Sequence, residues 1–98
     1  MIRSVIWTPE AIKTYNSNLE YLESQWGYDV HDQFIESVYQ MIAKISQNPK
    51  LFICIDTKTN LFRSDITKQV SLFYRIQENE VYMISFWNNH QAPERMPQ

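Results

Sequence analysis

The 98-residue sequence predicts one α+β domain: an N-terminal strand, an antiparallel helix pair, then a mainly antiparallel sheet of three to four strands. Three observations carry this expectation. Two long stretches place apolar residues at spacings of three and four and are separated by little more than one glycine, so their helices must lie back to back. The stretch from Leu61 to Pro93 holds three successive runs rich in β-formers with short polar breaks. The helices are consecutive and do not alternate with strands, so both should cover the same face of the sheet.

Residues 2–7 read as a strand, with Ile2, Val5, Ile6 and Trp7 as good β-formers. Thr8 can then cap a helix, Pro9 suits its first position, and Glu10 lies near the positive end of its dipole. The first helix should run from Pro9 to Trp26, with Ile12, Tyr15, Leu19, Leu22 and Trp26 on one stripe. Gly27, the sole glycine, fits the left-handed position after a helix end. With one glycine, neither a P-loop nor a dinucleotide fingerprint can be written. Asp29 is the expected cap of the second helix, whose apolar face is Val30, Phe34, Val38, Met41, Ile42 and Ile45. Asn48-Pro49 ends it, because the residue before proline avoids the helical region.

Leu51 to Ile55 is a short apolar run, either a strand or a buried connection; Cys54 within it should be buried and inert. Residues 56–60 form a turn by composition. Strands are expected at 61–66, 70–77 and 81–88. Asn79, in the turn Glu78-Asn79-Glu80, is the residue suited to a positive φ. In the middle strand Leu72, Tyr74 and Ile76 share one face, and Ser71, Phe73, Arg75 and Gln77 the other. The last strand is apolar on both faces and belongs inside the sheet. Ala92-Pro93 leaves it, and the tail to Gln98 is expected to be loose.

Composition narrows the function. No apolar run approaches the ~20 residues of a membrane span. No signal-peptide pattern opens the chain, and a single cysteine allows no disulfide framework, which together point to the cytosol. No cluster of Asp, Glu, His and Cys has metal spacing, and no cofactor is expected. The net charge is −2, with the positive excess concentrated between Lys58 and Arg75. That suits a small anion-binding patch and falls short of a face held on nucleic acid by many phosphates.

The residues that can carry chemistry sit on the open face of the sheet or near it. Arg63 can clamp a phosphate, or it can form a sheet-surface ion pair with Asp65 or Glu80. Lys68 and Arg75 can add charge beside it. His90 is the only good proton-transfer group, unless it is simply hydrogen-bonded where the chain leaves the last strand. His31 lies among acidic residues and reads as structural or exposed. Tyr74, Tyr82, Phe86 and Trp87 can stack on a base; Tyr82 and Phe86 read as core, and Trp87 as more open to the surface.

The order β-α-α-β-β-β in a chain near one hundred residues resembles the RelE/ParE superfamily of bacterial type II toxins. The resemblance spans essentially the whole chain. It is carried by Ile6-Trp7-Thr8-Pro9-Glu10-Ala11, by Ile42-Ala43-Lys44-Ile45-Ser46-Gln47-Asn48-Pro49, by Phe62-Arg63, by Ser71-Leu72-Phe73-Tyr74-Arg75-Ile76, and by the last strand through Asn88-Asn89-His90-Gln91-Ala92-Pro93. It implies the toxin half of a toxin–antitoxin pair, neutralised by a cognate antitoxin, with a homodimer as an option. RelE-like members cleave messenger RNA on the ribosome, which would cast Arg63 as the phosphate's cation and His90 as base or acid. ParE-like members bind DNA gyrase and are not known to cut. Ser71 stands where RelE-like enzymes place an arginine, and the chain is acidic overall, so the resemblance tilts toward the ParE-like mode. A family member that only binds its antitoxin is the third alternative.

Overall fold

A computed structural model describes residues 3–89. In chain order the elements are β1 (Ser4–Trp7), α1 (Pro9–Trp26), α2 (Tyr28–Gln47), a 3-10 turn (Pro49–Leu51), β2 (Ile53–Asp56), β3 (Leu61–Asp65), β4 (Val70–Gln77) and β5 (Glu80–Asn88). The strands form one sheet in the order β1-β5-β4-β3-β2. β1 runs parallel to β5, and every other pairing is antiparallel. The sheet therefore has five strands, because the N-terminal strand joins it beside the last one.

Local signals set the helices. Thr8 is extended, with φ −73° and ψ 160°, and its Oγ1 accepts the Ala11 N–H at 3.1 Å. The same hydroxyl donates to the Met83 carbonyl at 2.7 Å, so the cap also fastens the start of α1 to β5. At the other end one residue serves both helices. The Gly27 N–H donates to the Glu23 carbonyl at 3.0 Å, and the Gly27 carbonyl accepts from the His31 N–H at 3.2 Å. Gly27 has φ 89° and ψ −175°, an extended mirror-image conformation essentially confined to glycine, rather than the left-handed helical one. The expected cap at Asp29 is thus corrected: Gly27 occupies the cap position, and Asp29 lies in the first turn, where its charge suits the dipole.

α2 buries Phe34, Val38 and Ile45, and Val30, Met41 and Ile42 pack against the core, as the periodicity predicts. α1 is rotated from its expected stripe. Ala11, Asn18 and Leu22 are buried, Tyr15 and Leu19 pack partly, and Ile12 and Trp26 stand about half exposed. The reason lies at Phe86. Its N–H donates to Thr14 Oγ1 at 2.9 Å, and its carbonyl accepts from Asn18 Nδ2 at 3.0 Å. β1 pairs β5 only through residues 80–83, so beyond its end two side chains of α1 satisfy the β5 backbone. Turning Thr14 and Asn18 inward moves Ile12 and Trp26 outward.

The main core lies between the helices and the sheet. It takes Leu72, Tyr74 and Ile76 from β4 and Val81, Met83 and Phe86 from β5. The Tyr74 hydroxyl donates to the Pro49 carbonyl at 2.7 Å and pins the 3-10 turn. Burial pushes the Tyr74 phenol well above its ordinary value, so it stays protonated. A second, smaller apolar cluster (Leu61, Phe73, Trp87, with Ile84 beside it) lies apart from that core.

Two local expectations are corrected. Glu78, not Asn79, takes the positive φ (56°) in the β4–β5 turn, and Asn60 takes another (53°) between β2 and β3. Of the two readings of the run 51–55, the strand holds from Ile53, as β2, and the expected burial of Cys54 is corrected. Ile53 is 66% exposed, and Leu51, Cys54 and Ile55 are exposed as well, because β2 ends the sheet. Cys54 is therefore an accessible thiol.

Candidate functional site

Strand alternation and register build the face of the sheet opposite the helices. β3 and β4 pair Arg63 with Phe73, Asp65 with Ser71 and Leu61 with Arg75. β4 and β5 pair Ser71 with Trp87. The side chains of Leu61, Arg63, Asp65, Ser71, Phe73, Arg75 and Trp87 thus share one surface. The register shift between Phe73 and Tyr74 sets Val81 and Met83, as well as Phe86, opposite the β4 residues that face the helices.

Arg63 is the hub of a polar network on this surface. Its Nε donates to Asp65 Oδ1 at 3.2 Å, and its Nη2 donates to Ser71 Oγ at 3.1 Å and to Asn89 Oδ1 at 3.4 Å. Ser71 Oγ donates to Asp65 Oδ1 at 2.7 Å, which closes the ring. The guanidinium carbon stands 5.8 Å from the Phe73 ring centroid, a cation–π distance. Asn89 is itself held: its N–H donates to the Gln69 carbonyl at 2.8 Å and its Nδ2 to the Lys68 carbonyl at 3.1 Å. The Arg63 side chain remains 31% exposed. Among the described residues its Nη1 makes no hydrogen bond, which leaves one edge of the fork open to an acceptor.

The network binds charge weakly and geometry strongly. Asp65 neutralises the arginine at contact distance, so the surface offers a positioned donor edge with little net field. Ser71 and Asn89 orient that edge. Phe73, beneath the guanidinium, is itself buried.

The other expected site residues fall differently. Arg75 lies on the same surface, two residues along β4 from Phe73, and lines a shallow cavity with Lys58, Asn60 and Glu78. Lys68 is exposed in the β3–β4 turn and lines a cavity of about 420 Å³ against Val30, Phe34 and Ser37 of α2, apart from the Arg63 network. Trp87 is not at the surface: it is 5% exposed within the small apolar cluster, and its buried indole N–H meets no partner among the described residues. Phe86 is core, as expected. Tyr82 is half-buried outside it, donating to Glu80 Oε1 at 3.2 Å, a bond that raises its phenol's pKa. His31 Nδ1 lies 3.0 Å from Asp32 Oδ1. His90 lies outside the described residues.

Asp65 was named from sequence as an ion-pair partner of Arg63, and that pair is present. Ser71 and Asn89 were not foreseen as partners of Arg63; Ser71 follows once the register is known, since it faces Asp65 across the ladder. Among the described residues no three metal-ligating side chains cluster, and no helix is long and apolar enough to cross a membrane.

No family model matches the chain, and no curated protein matches it. Solved structures do. A chain of the chromosomal ParDE toxin–antitoxin system from P. aeruginosa superposes with a TM-score of 0.73 at 10% identity, over 89% of this chain and 96% of that one. This is the RelE/ParE toxin fold. A YoeB/ParE toxin from Agrobacterium tumefaciens matches with a TM-score of 0.63 at 13% identity, over 88% and 98% of the two chains. The YoeB dimer from Staphylococcus aureus matches with a TM-score of 0.59 at 14% identity, over 87% and 94%. Within the RelE/ParE fold, the Arg63 network occupies the sheet face that the helices leave open.

Proposed function

We propose that the chain is the toxin of a type II toxin–antitoxin pair, that it arrests growth by binding DNA gyrase without cutting nucleic acid, and that a cognate antitoxin neutralises it. The toxin reading is supported by the fold likeness to the ParDE system and to the YoeB–YefM toxin–antitoxin complexes. Gyrase binding is favoured over RNA cleavage by the state of Arg63. A phosphate clamp needs free charge, and here Asp65 cancels it while Ser71 and Asn89 take further donors.

The competing reading is a ribosome-dependent ribonuclease with Arg63 as the cation and His90 as general acid or base. One experiment separates the two. Induced expression should arrest growth, purified protein should inhibit gyrase supercoiling, and both effects should survive His90→Ala. Ribosome-dependent cleavage of messenger RNA that disappears in His90→Ala would overturn the proposal. A chain that binds a partner but never arrests growth would reduce it to an antitoxin-binding module.

A further inference from the structure

We propose that α1 docks an arginine-bearing segment of another protein, with one guanidinium entering a cavity at Asn18 and a second held by Glu20 and Glu23. This is independent of the toxin reading, because α1 packs on the opposite side of the sheet from the Arg63 network. The first cavity, about 320 Å³, opens where α1 runs beside the end of β5 and is lined by Thr14, Ser17, Asn18, Tyr21, Phe86 and Asn88. Its side chains carry hydroxyls and amides and no charge. Asn18 is 5% exposed, and its amide orientation is fixed: Nδ2 donates to the Thr14 carbonyl at 2.8 Å and to the Phe86 carbonyl at 3.0 Å, so a flip would set oxygen against oxygen. Both hydrogens are engaged, one toward the preceding turn of α1 and one toward β5. Oδ1 is left facing the following turn, on the side of Tyr21, and it accepts no hydrogen bond. A buried acceptor without a donor is costly, and the cavity is where a donor from outside can arrive.

The second cavity, about 350 Å³, lies further along α1 and is lined by Glu20, Glu23, Ser24, Gly27 and Tyr28. Neither carboxylate has an ion-pair partner among the described residues. Glu20 and Glu23 stand three apart on one helix, so they repel each other. Glu23 also lies in the last turn, at the negative end of the dipole, where α1 has no basic residue. The two carboxylates are thus poorly placed for α1 itself and well placed for a cation from outside. Tyr28, 69% exposed, offers a ring beside them on which a guanidinium can stack. Arginine meets both needs: its fork donates to Oδ1 in the first cavity and pairs with carboxylates in the second. Glu20, Glu23, Ser24 and Gly27 repeat the spacing of Thr14, Ser17, Asn18 and Tyr21 six residues on. The two sites are therefore ~9 Å apart along the helix axis, a span that a short extended peptide covers. The same carboxylates turn away a nucleic acid.

The test titrates the full chain with a capped Arg-Ala-Ala-Arg peptide at low salt and reads the binding by NMR. The side-chain amide of Asn18 and the ring of Tyr28 should shift together, and a capped Gln-Ala-Ala-Gln peptide should bind at least tenfold more weakly. Ser17→Trp, at an exposed position, should fill the mouth of the first cavity and abolish the Asn18 shift. Glu20→Lys with Glu23→Lys should weaken binding at least tenfold while Tm stays level or rises, because the exchange suits the dipole. Loss of binding in that variant is then not loss of fold. An Asn18 amide that does not move with millimolar arginine peptide, equal binding of the glutamine peptide, or binding that survives the double substitution would overturn the proposal.

Discussion

Replacing Thr14 by valine tests the account of how β5 is completed. Valine keeps the shape and has a similar helix propensity, so the substitution removes little besides the hydroxyl. What it strands is the Phe86 N–H, which now donates to Thr14 Oγ1 at 2.9 Å in a residue only 2% exposed. A buried donor left without its acceptor costs about 1–3 kcal/mol. The lost bond from Thr14 Oγ1 to the Glu10 carbonyl adds little, because that group is exposed. For a domain near one hundred residues, each 1 kcal/mol moves Tm by roughly 4–8 °C, so a fall of about 5–20 °C is expected. In urea, with a slope of about 1–3 kcal/mol per molar, the midpoint should drop by roughly 1 M. Amide exchange should show Phe86 losing protection, and Thr14→Ser should retain most of the stability. A Thr14→Val protein that melts with the wild type, with Phe86 still protected, would refute the reasoning.

Three further outcomes follow from other parts of the chain. Gly27→Ala meets no neighbouring atom within 4 Å but must hold φ 89°, so thermal melting should show a loss of about 1–3 kcal/mol from backbone strain alone. Tyr74 is held above its unfolded value near 10, and burial raises Tyr15 in the same direction. The unfolded chain therefore releases these protons first: their contribution is fully present below pH 10 and is lost above it, which urea midpoints at pH 8 and pH 11 would reveal, with the drop reduced in Tyr74→Phe. Arg63→Ala removes the charged donor edge at the centre of the candidate network and should weaken target inhibition by roughly 10–100-fold, equivalent to one charge-assisted bond, with Tm changed by only a few degrees.

The helices were legible because their signals are local. Thr8-Pro9 and Gly27 mark their ends regardless of what packs around them, and α1 begins and ends where those residues place it. The burial of β2 was not legible, since apolar strands look alike in the centre and at the edge until the strand order is known. Trp87 failed for a related reason: β5 is apolar on both faces, and pattern alone cannot tell a second small cluster from open surface. The turn of α1 away from its apolar stripe depends on a backbone need at Phe86, dozens of residues distant. Arg63 was visible as a candidate. Its partners Ser71 and Asn89 were not, because the register of β3 against β4 and the reach of the residue after β5 are tertiary facts.

The pairing of β1 with β5 governs when the molecule can form. Ser4 meets Glu80 and Trp7 meets Met83, so the first strand to be made waits for the last. The helix hairpin between them is built from neighbours in sequence and can assemble early and quickly, while the sheet depends on contacts of long sequence separation. Until β5 emerges during synthesis, β1 has no ladder partner, and Thr8, Thr14 and Asn18 have no carbonyl or amide of β5 to hold. A nascent chain stopped short of residue 80 is a helix pair with a dangling strand. Completion of the fold, and with it the Arg63 surface, waits until β5 has been made.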